Sequence, residues 1–179
     1  MKGPLIKSID NVIYKEDSNF EIAGTINTDG SNLIDKRNRS VKQFFFKEED
    51  IGHSVAKRII YNEIVRGVKK IVDSYTNQTP FIDLIKPEFS FNFLKYQDTD
   101  EGHYEWHTDH HSKHAPRTLT CIIGLNNSYE GGTLSVINDN TSLHLKRSEG
   151  VIFPSNFCFP HKVYPVTKGE RRVLVAWIS

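Results

Sequence analysis

Phe89-Ser90-Phe91-Asn92-Phe93-Leu94 places an aromatic ring at every second position, and that period decides the fold. Alternate side chains of an extended chain leave on opposite faces, so the segment predicts a strand with one face buried. Working downstream, the same reading predicts strands at 117–125, 132–137, 142–147, 150–154, 160–166 and 171–178. Turn chemistry separates them at Asn126-Asn127, Gly131-Gly132, Asn138-Asp139-Asn140, Glu149-Gly150 and Lys168-Gly169. Upstream, Ile51, Val55, Ile59, Ile64, Val68, Ile71 and Tyr75 recur at helical steps. They predict one amphipathic helix over 50–75, interrupted only by Gly67. The run 40–46 reads as a strand, and residues 1–47 hold β-prone pieces at Leu5–Ile9, Val12–Tyr14 and Phe20–Ile26.

A long helix ahead of about seven short strands predicts a mostly-β chain, a helix packed on a β-sandwich or jelly roll. The helices that a Rossmann-type fold needs between its strands are not visible. One domain is expected over 1–179, with strands and a support helix in 1–80 and the β core in 81–179. A chain of 179 residues can enclose a real core. With 23 Lys+Arg against 22 Asp+Glu, net charge excludes bulk attraction to nucleic acid or membrane. Cys121 and Cys158 are the only cysteines, both in apolar segments, so no disulfide framework is expected. The start lacks a secretory apolar run, and no stretch is long and apolar enough to span a bilayer. The expectation is a soluble cytoplasmic protein without a membrane partner.

The chemistry centres on Trp106-His107-Thr108-Asp109 and on His161, which follows Pro160. Positions i and i+2 of a strand share a face, so His107 and Asp109 can reach one ion. His161 arrives from another strand, across the sandwich. Two imidazoles and a carboxylate form the facial set that holds non-haem Fe(II) and leaves coordination positions open. Zinc is the competing metal, because His103, His110, His111 and His114 lie close by. The His-x-His-x-Asp-His register of a dinuclear site is not met.

His161-Lys162-Val163-Tyr164-Pro165-Val166 followed by Gly169-Glu170-Arg171 resembles the C-terminal signature of prolyl 4-hydroxylase-like Fe(II)/2-oxoglutarate-dependent oxygenases. Tyr96, Gly102, Tyr104, His107 and Asp109, then Thr118 to Asn126, then Glu130-Gly131-Gly132-Thr133-Leu134 follow the same pattern in order. The resemblance covers residues 89–178 and implies a double-stranded β-helix of two facing antiparallel sheets. It implies Fe(II) on His107, Asp109 and His161, with 2-oxoglutarate and O2 as co-substrates and ascorbate as a further candidate. Arg171 would anchor the distal carboxylate, since a guanidinium fork pairs both carboxylate oxygens. Tyr96 and Thr120 would hydrogen-bond the same carboxylate or serve as ordinary sheet residues. Arg172 faces the other way and reads as a surface charge.

The implied reaction hydroxylates an unactivated C–H bond of a prolyl residue, another peptidyl residue or a free amino acid, releasing succinate and CO2. Asp109 leaves no vacancy for a halide, which disfavours halogenation. Nucleic-acid-demethylating relatives carry a second arginine where this chain has Trp177, a barrel-lining or core aromatic, so a nucleic-acid acceptor is not expected. Arg37, Arg39, Ser40 and the loop His110 to His114, ended by Pro116, are candidate substrate-facing groups. A non-catalytic binding module and a cupin-like metal protein without 2-oxoglutarate stand as alternatives.

Overall fold

The computed structural model describes residues 3–15, 17–26, 32–79, 84, 87–110 and 117–179. Helix α1 (Gly3–Ile9) runs into a wider π-type turn at Asp10–Tyr14. Short strands β1 (Glu21–Ile22), β2 (Thr25–Ile26), β3 (Asn32–Leu33) and β4 (Arg39–Ser40) precede β5 (Lys42–Phe46) and the long helix α2 (Val55–Gln78). The rest is strand: β6 (Phe89–Gln97), β7 (His103–His107), β8 (Leu119–Gly124), β9 (Tyr129–Gly131), β10 (Leu134–Val136), β11 (Ser142–Leu143), β12 (Gly150–Pro154), β13 (His161–Val163) and β14 (Val166–Ile178).

Two antiparallel sheets face each other. The larger has the order β1-β5-β6-β14-β8-β12, with β9 on the start of β14; the smaller runs β11-β10-β13-β7-β4. A hairpin of β2 and β3 stands apart. Apart from the pairs β5–β6 and β10–β11, neighbours in the two facing sheets are not consecutive in sequence, as a double-stranded β-helix requires. No helix among the described residues is long and apolar enough to cross a membrane.

Both faces of the large sheet are buried, which departs from the one-face expectation. Phe91, Phe93, Leu119, Cys121, Ile123, Leu174, Ala176 and Ile178 pack under the helices, while Leu94, Tyr96, Ile122, Val173, Val175 and Trp177 pack toward the small sheet. The helix face of α2 also differs from the expected one. Ile60, Ile64, Val68 and Val72, one turn apart, are buried, whereas Val55 and Ile59 are exposed. Of two adjacent isoleucines, 100° apart on a helix, only one can meet the sheet. Ser54 caps this helix, its hydroxyl accepting from the Lys57 amide.

Three other expectations need correction. Leu5–Ile9 and Val12–Tyr14 are helical, because Ile6, Ile9 and Ile13 share one buried stripe over the sheet. The run 40–46 belongs to two sheets, Ser40 to the small one and Lys42–Phe46 to the large one, with the chain crossing over at Val41. The segments 160–166 and 171–178 are redistributed, Val166–Ile178 forming one strand of 13 residues.

Candidate metal centre and co-substrate site

His107 and His161 sit directly opposite each other on neighbouring strands of the small sheet. His161 therefore comes from beside His107, not from across the sandwich. Asp109 lies just beyond the end of β7 rather than on it. The ligand atoms of these three side chains all lie within 4.8 Å of one another, and no other such cluster occurs among the described residues. Asp109 and His161 are buried.

A β-bulge arranges the centre. Val163 pairs with Tyr104 and His161 with His107, so β7 carries one residue more than β13 over the same span. Tyr104 and His107, three apart, would face opposite ways on a regular strand. The extra residue turns both toward the cavity, with rings stacked at 3.5 Å between centroids. The backbone sets the imidazole orientation: His107 Nδ1 donates to Glu105 O (2.7 Å) and His161 Nδ1 to Phe159 O (3.3 Å). A carbonyl can only accept, so each Nε2 keeps its lone pair for a metal. Burial first, then the neighbouring His161, lowers the His107 pKa to about 3 and keeps it neutral.

The large sheet reaches across to hold Asp109. Trp177 Nε1 donates to Asp109 Oδ2 at 2.9 Å and Thr120 Oγ1 donates to the same oxygen at 2.8 Å. Trp177 and Thr120 are register partners on β14 and β8. Burial pushes the Asp109 carboxyl up, but His161, His107 and these two donors outweigh it and hold the group below its ordinary range. Trp177 is thus more than a core aromatic. Thr120 is engaged at the metal end of the sheet, whereas Arg171 lies six residues along β14 opposite Tyr96, so Thr120 does not stand beside the arginine.

Arg171 shares the inner face of β14 with Val173, Val175 and Trp177 and is only 1% exposed. Its guanidinium lies behind the cavity wall, 5.1 Å over the Tyr96 ring, and its Nε has no hydrogen-bond partner. No carboxylate among the described residues pairs with it. Burial raises the Tyr96 pKa, against the pull of Arg171, so the phenol stays protonated. Gly132 is more than a turn residue: a Cβ there would lie 2.8 Å from Arg171 Cδ, and its φ is +61°. Arg172, on the other face, is not a free surface charge; it pairs with Glu170 (2.6 Å) and Asp10 (3.3 Å) and ties the N-terminal segment to the sheet.

A cavity of about 360 Å3 opens over the three ligands, lined also by Arg39, Gln43, Phe45, Tyr96, Tyr104, Arg117 and Trp177. Of the candidate substrate-facing groups among the described residues, only Arg39 lines it. Arg37 is exposed and paired with Asp35, and Ser40 donates to Asp100 O. The nearby histidines do not extend the metal set: His103 contacts Glu101 O and Arg37 O, and His110 contacts Arg117 O. His111, His114 and Pro116 lie outside the described residues.

Residues 91–179 match the 2OG-Fe(II) oxygenase superfamily, and this half of the chain belongs to it. A PKHD-type hydroxylase of Synechococcus sp. (strain CC9605) is 37% identical over 82 residues, 42% of this chain and 36% of that protein. The chain spans 36% to 56% of the length of the curated relatives it matches. A prolyl-4-hydroxylase of Pseudomonas putida overlays with a TM-score of 0.72 at 17% identity, covering 99% of this chain and 87% of that one. A prolyl hydroxylase of Trichoplax adhaerens, solved with a hypoxia inducible factor oxygen degradation domain peptide fragment, gives 0.74 at 16% identity, covering 99% and 79%. The shared fold is the prolyl 4-hydroxylase-like double-stranded β-helix.

The donor set fits the metal that the superfamily implies. Two imidazoles and one carboxylate suit Fe(II), and a thiolate that would favour zinc is absent from the cluster. The buried, unpaired Arg171 fits a dicarboxylate.

Proposed function

We propose that the protein is an Fe(II)- and 2-oxoglutarate-dependent dioxygenase that hydroxylates an unactivated C–H bond, foremost on a prolyl or other amino-acid residue. The observation that carries this reading is Arg171: a guanidinium 1% exposed, without an acidic partner among the described residues, in the same sandwich as the His107–Asp109–His161 cluster. A buried charge left unpaired is costly, and a bound carboxylate relieves that cost.

His107 and His161 would hold iron through Nε2. Asp109 would offer Oδ1, because Trp177 and Thr120 already engage Oδ2. Arg171 would bind the far carboxylate of 2-oxoglutarate. Leu94, Ile122, Val163 and Val175 give the cavity an apolar wall that limits water. With iron, 2-oxoglutarate and O2 bound, the centre would supply C–H hydroxylation with succinate and CO2 as co-products. A peptide acceptor is supported by the Trichoplax neighbour, which was solved with one.

The test is succinate formation with Fe(II), 2-oxoglutarate and air, with proline-containing peptides and free amino acids followed for a gain of one oxygen. Turnover abolished by Asp109→Ala is expected. No succinate with or without any acceptor, or turnover indifferent to Asp109→Ala, would overturn the reading.

A further inference from the structure

Two arginines face the cavity, and neither has an acidic partner among the described residues. Arg117 lies with Cζ 3.6 Å over the Trp177 ring, and its Nη1 donates to the Asp109 carbonyl at 3.3 Å. Arg39 lies 4.5 Å over the Tyr104 ring; Nη1 donates to Gly24 O (2.7 Å) and Nη2 to Gln43 Oε1 (3.3 Å), while its buried Nε has no partner. Each guanidinium is one aromatic ring removed from a metal ligand. Trp177 donates to Asp109, and Tyr104 stacks on His107.

Among the described residues the charges do not balance: with Arg171 counted from behind the cavity wall, Arg39, Arg117 and Arg171 stand against Asp109 and Glu21, one positive charge in excess. A divalent metal and a dianionic co-substrate cancel each other, so loading the site does not remove that excess. The segment joining Asp109 to Arg117 brings no acid either, since residues 110–116 are His, His, Ser, Lys, His, Ala and Pro. Arginine clamped on an aromatic face is pre-oriented, and its fork matches a carboxylate.

Resting on the oxygenase reading, we infer that the acceptor carries a carboxylate close to the carbon that is hydroxylated, held by Arg117 in the field of Arg39. Two sources supply that chemistry: an acidic side chain beside the target residue of a peptide, or the α-carboxylate of a free amino acid. Here neither cation is paired with an acid among the described residues.

Binding is measured without turnover, under nitrogen, on protein saturated with Mn(II) and 2-oxoglutarate, by tryptophan fluorescence or calorimetry. The probes are acetylated, amidated Ala-Glu-Pro-Glu-Ala and its Gln and Lys counterparts, together with free proline and prolinamide. The Glu peptide should bind about tenfold tighter than the Gln peptide, and the Lys peptide more weakly still. Arg117→Gln should erase the Glu-over-Gln ratio and Arg117→Lys should keep part of it. Arg117→Glu should turn the preference toward the Lys peptide, an inversion that misfolding cannot produce. A preference for proline over prolinamide with equal peptides assigns the carboxylate to a free amino acid. Equal binding within both sets, or a Glu preference untouched by Arg117→Gln, overturns the inference. Failure of succinate formation would instead count against the oxygenase reading, because affinity is read apart from chemistry.

Discussion

The two faces of the large sheet use the same strands for different ends. Toward the helices, β6, β8 and β14 present Phe91, Phe93, Leu119, Cys121, Ile123, Leu174, Ala176 and Ile178, with Lys95 and Arg172 at one end against the Tyr14 ring. Toward the small sheet, the intervening positions carry Tyr96, Thr120, Arg171 and Trp177 among the valines, all buried. One face stabilises by area and packing. The other holds buried polar groups: Trp177 and Thr120 donate to the Asp109 carboxylate just beyond β7, and Arg171 lies over the Tyr96 ring. Alternation along a strand lets stability and chemistry vary separately, one residue apart.

Substitution should separate the two faces. Phe93→Ala, beneath the helices, should cost about 3–5 kcal/mol of stability by leaving a cavity, with the KM for 2-oxoglutarate unchanged in the protein that remains folded. Equilibrium denaturation beside steady-state kinetics checks it, and a KM shift would break the division. Arg171→Met should do the opposite, weakening 2-oxoglutarate on the order of 100-fold, since a charge-assisted bond of about 3 kcal/mol is lost. Without co-substrate its melting temperature should hold or rise, because a buried unpaired charge has gone; a large drop in that temperature would make Arg171 a structural residue.

Trp177→Phe keeps the ring and removes the N–H to Asp109, so Co(II) or Fe(II) affinity should fall about 10- to 100-fold. Undiminished metal affinity would show that Thr120 alone positions the carboxylate. Acid should act gradually, one pH unit at a time, and only from the inner face. His107 is held below its ordinary value of 6.5 by burial and by His161, so the unfolded chain binds that proton more readily. The metal-free protein should therefore lose stability as pH falls from 6.5 toward 3, by at most about 1.4 kcal/mol per pH unit for this one proton. Asp109, also lowered, adds its share below about pH 3.8. Thermal melts flat between pH 7 and pH 5 would contradict the neutral, buried His107.

Much of this division could be read from the chain. Strand β12 and the aromatic period of β6 were legible because each is a local pattern; the His107, Asp109, His161 and Arg171 set was read from motif spacing and family resemblance, and the structure gathers the first three within 4.8 Å. The failures share a cause. Ile6, Ile9 and Ile13 carried a helical period, yet their β-branched composition drew a strand reading. Phe89 to Leu94 alternates in aromatic content, but Leu94 and Tyr96 are buried too, because a second sheet covers their face. Trp177 and Asp109 lie 68 positions apart, and nothing local announces their hydrogen bond. The bulge in β7 and the close approach of Gly132 to Arg171 likewise arise only when distant strands pair.

The most direct measurement is anaerobic titration calorimetry, first with Fe(II) and then with 2-oxoglutarate, on the wild type, Asp109→Ala and Arg171→Met. One Fe(II) per chain is expected, lost in Asp109→Ala, followed by one 2-oxoglutarate whose affinity collapses in Arg171→Met while iron is retained. Iron bound undiminished by Asp109→Ala, or 2-oxoglutarate bound equally well by Arg171→Met, would contradict the account.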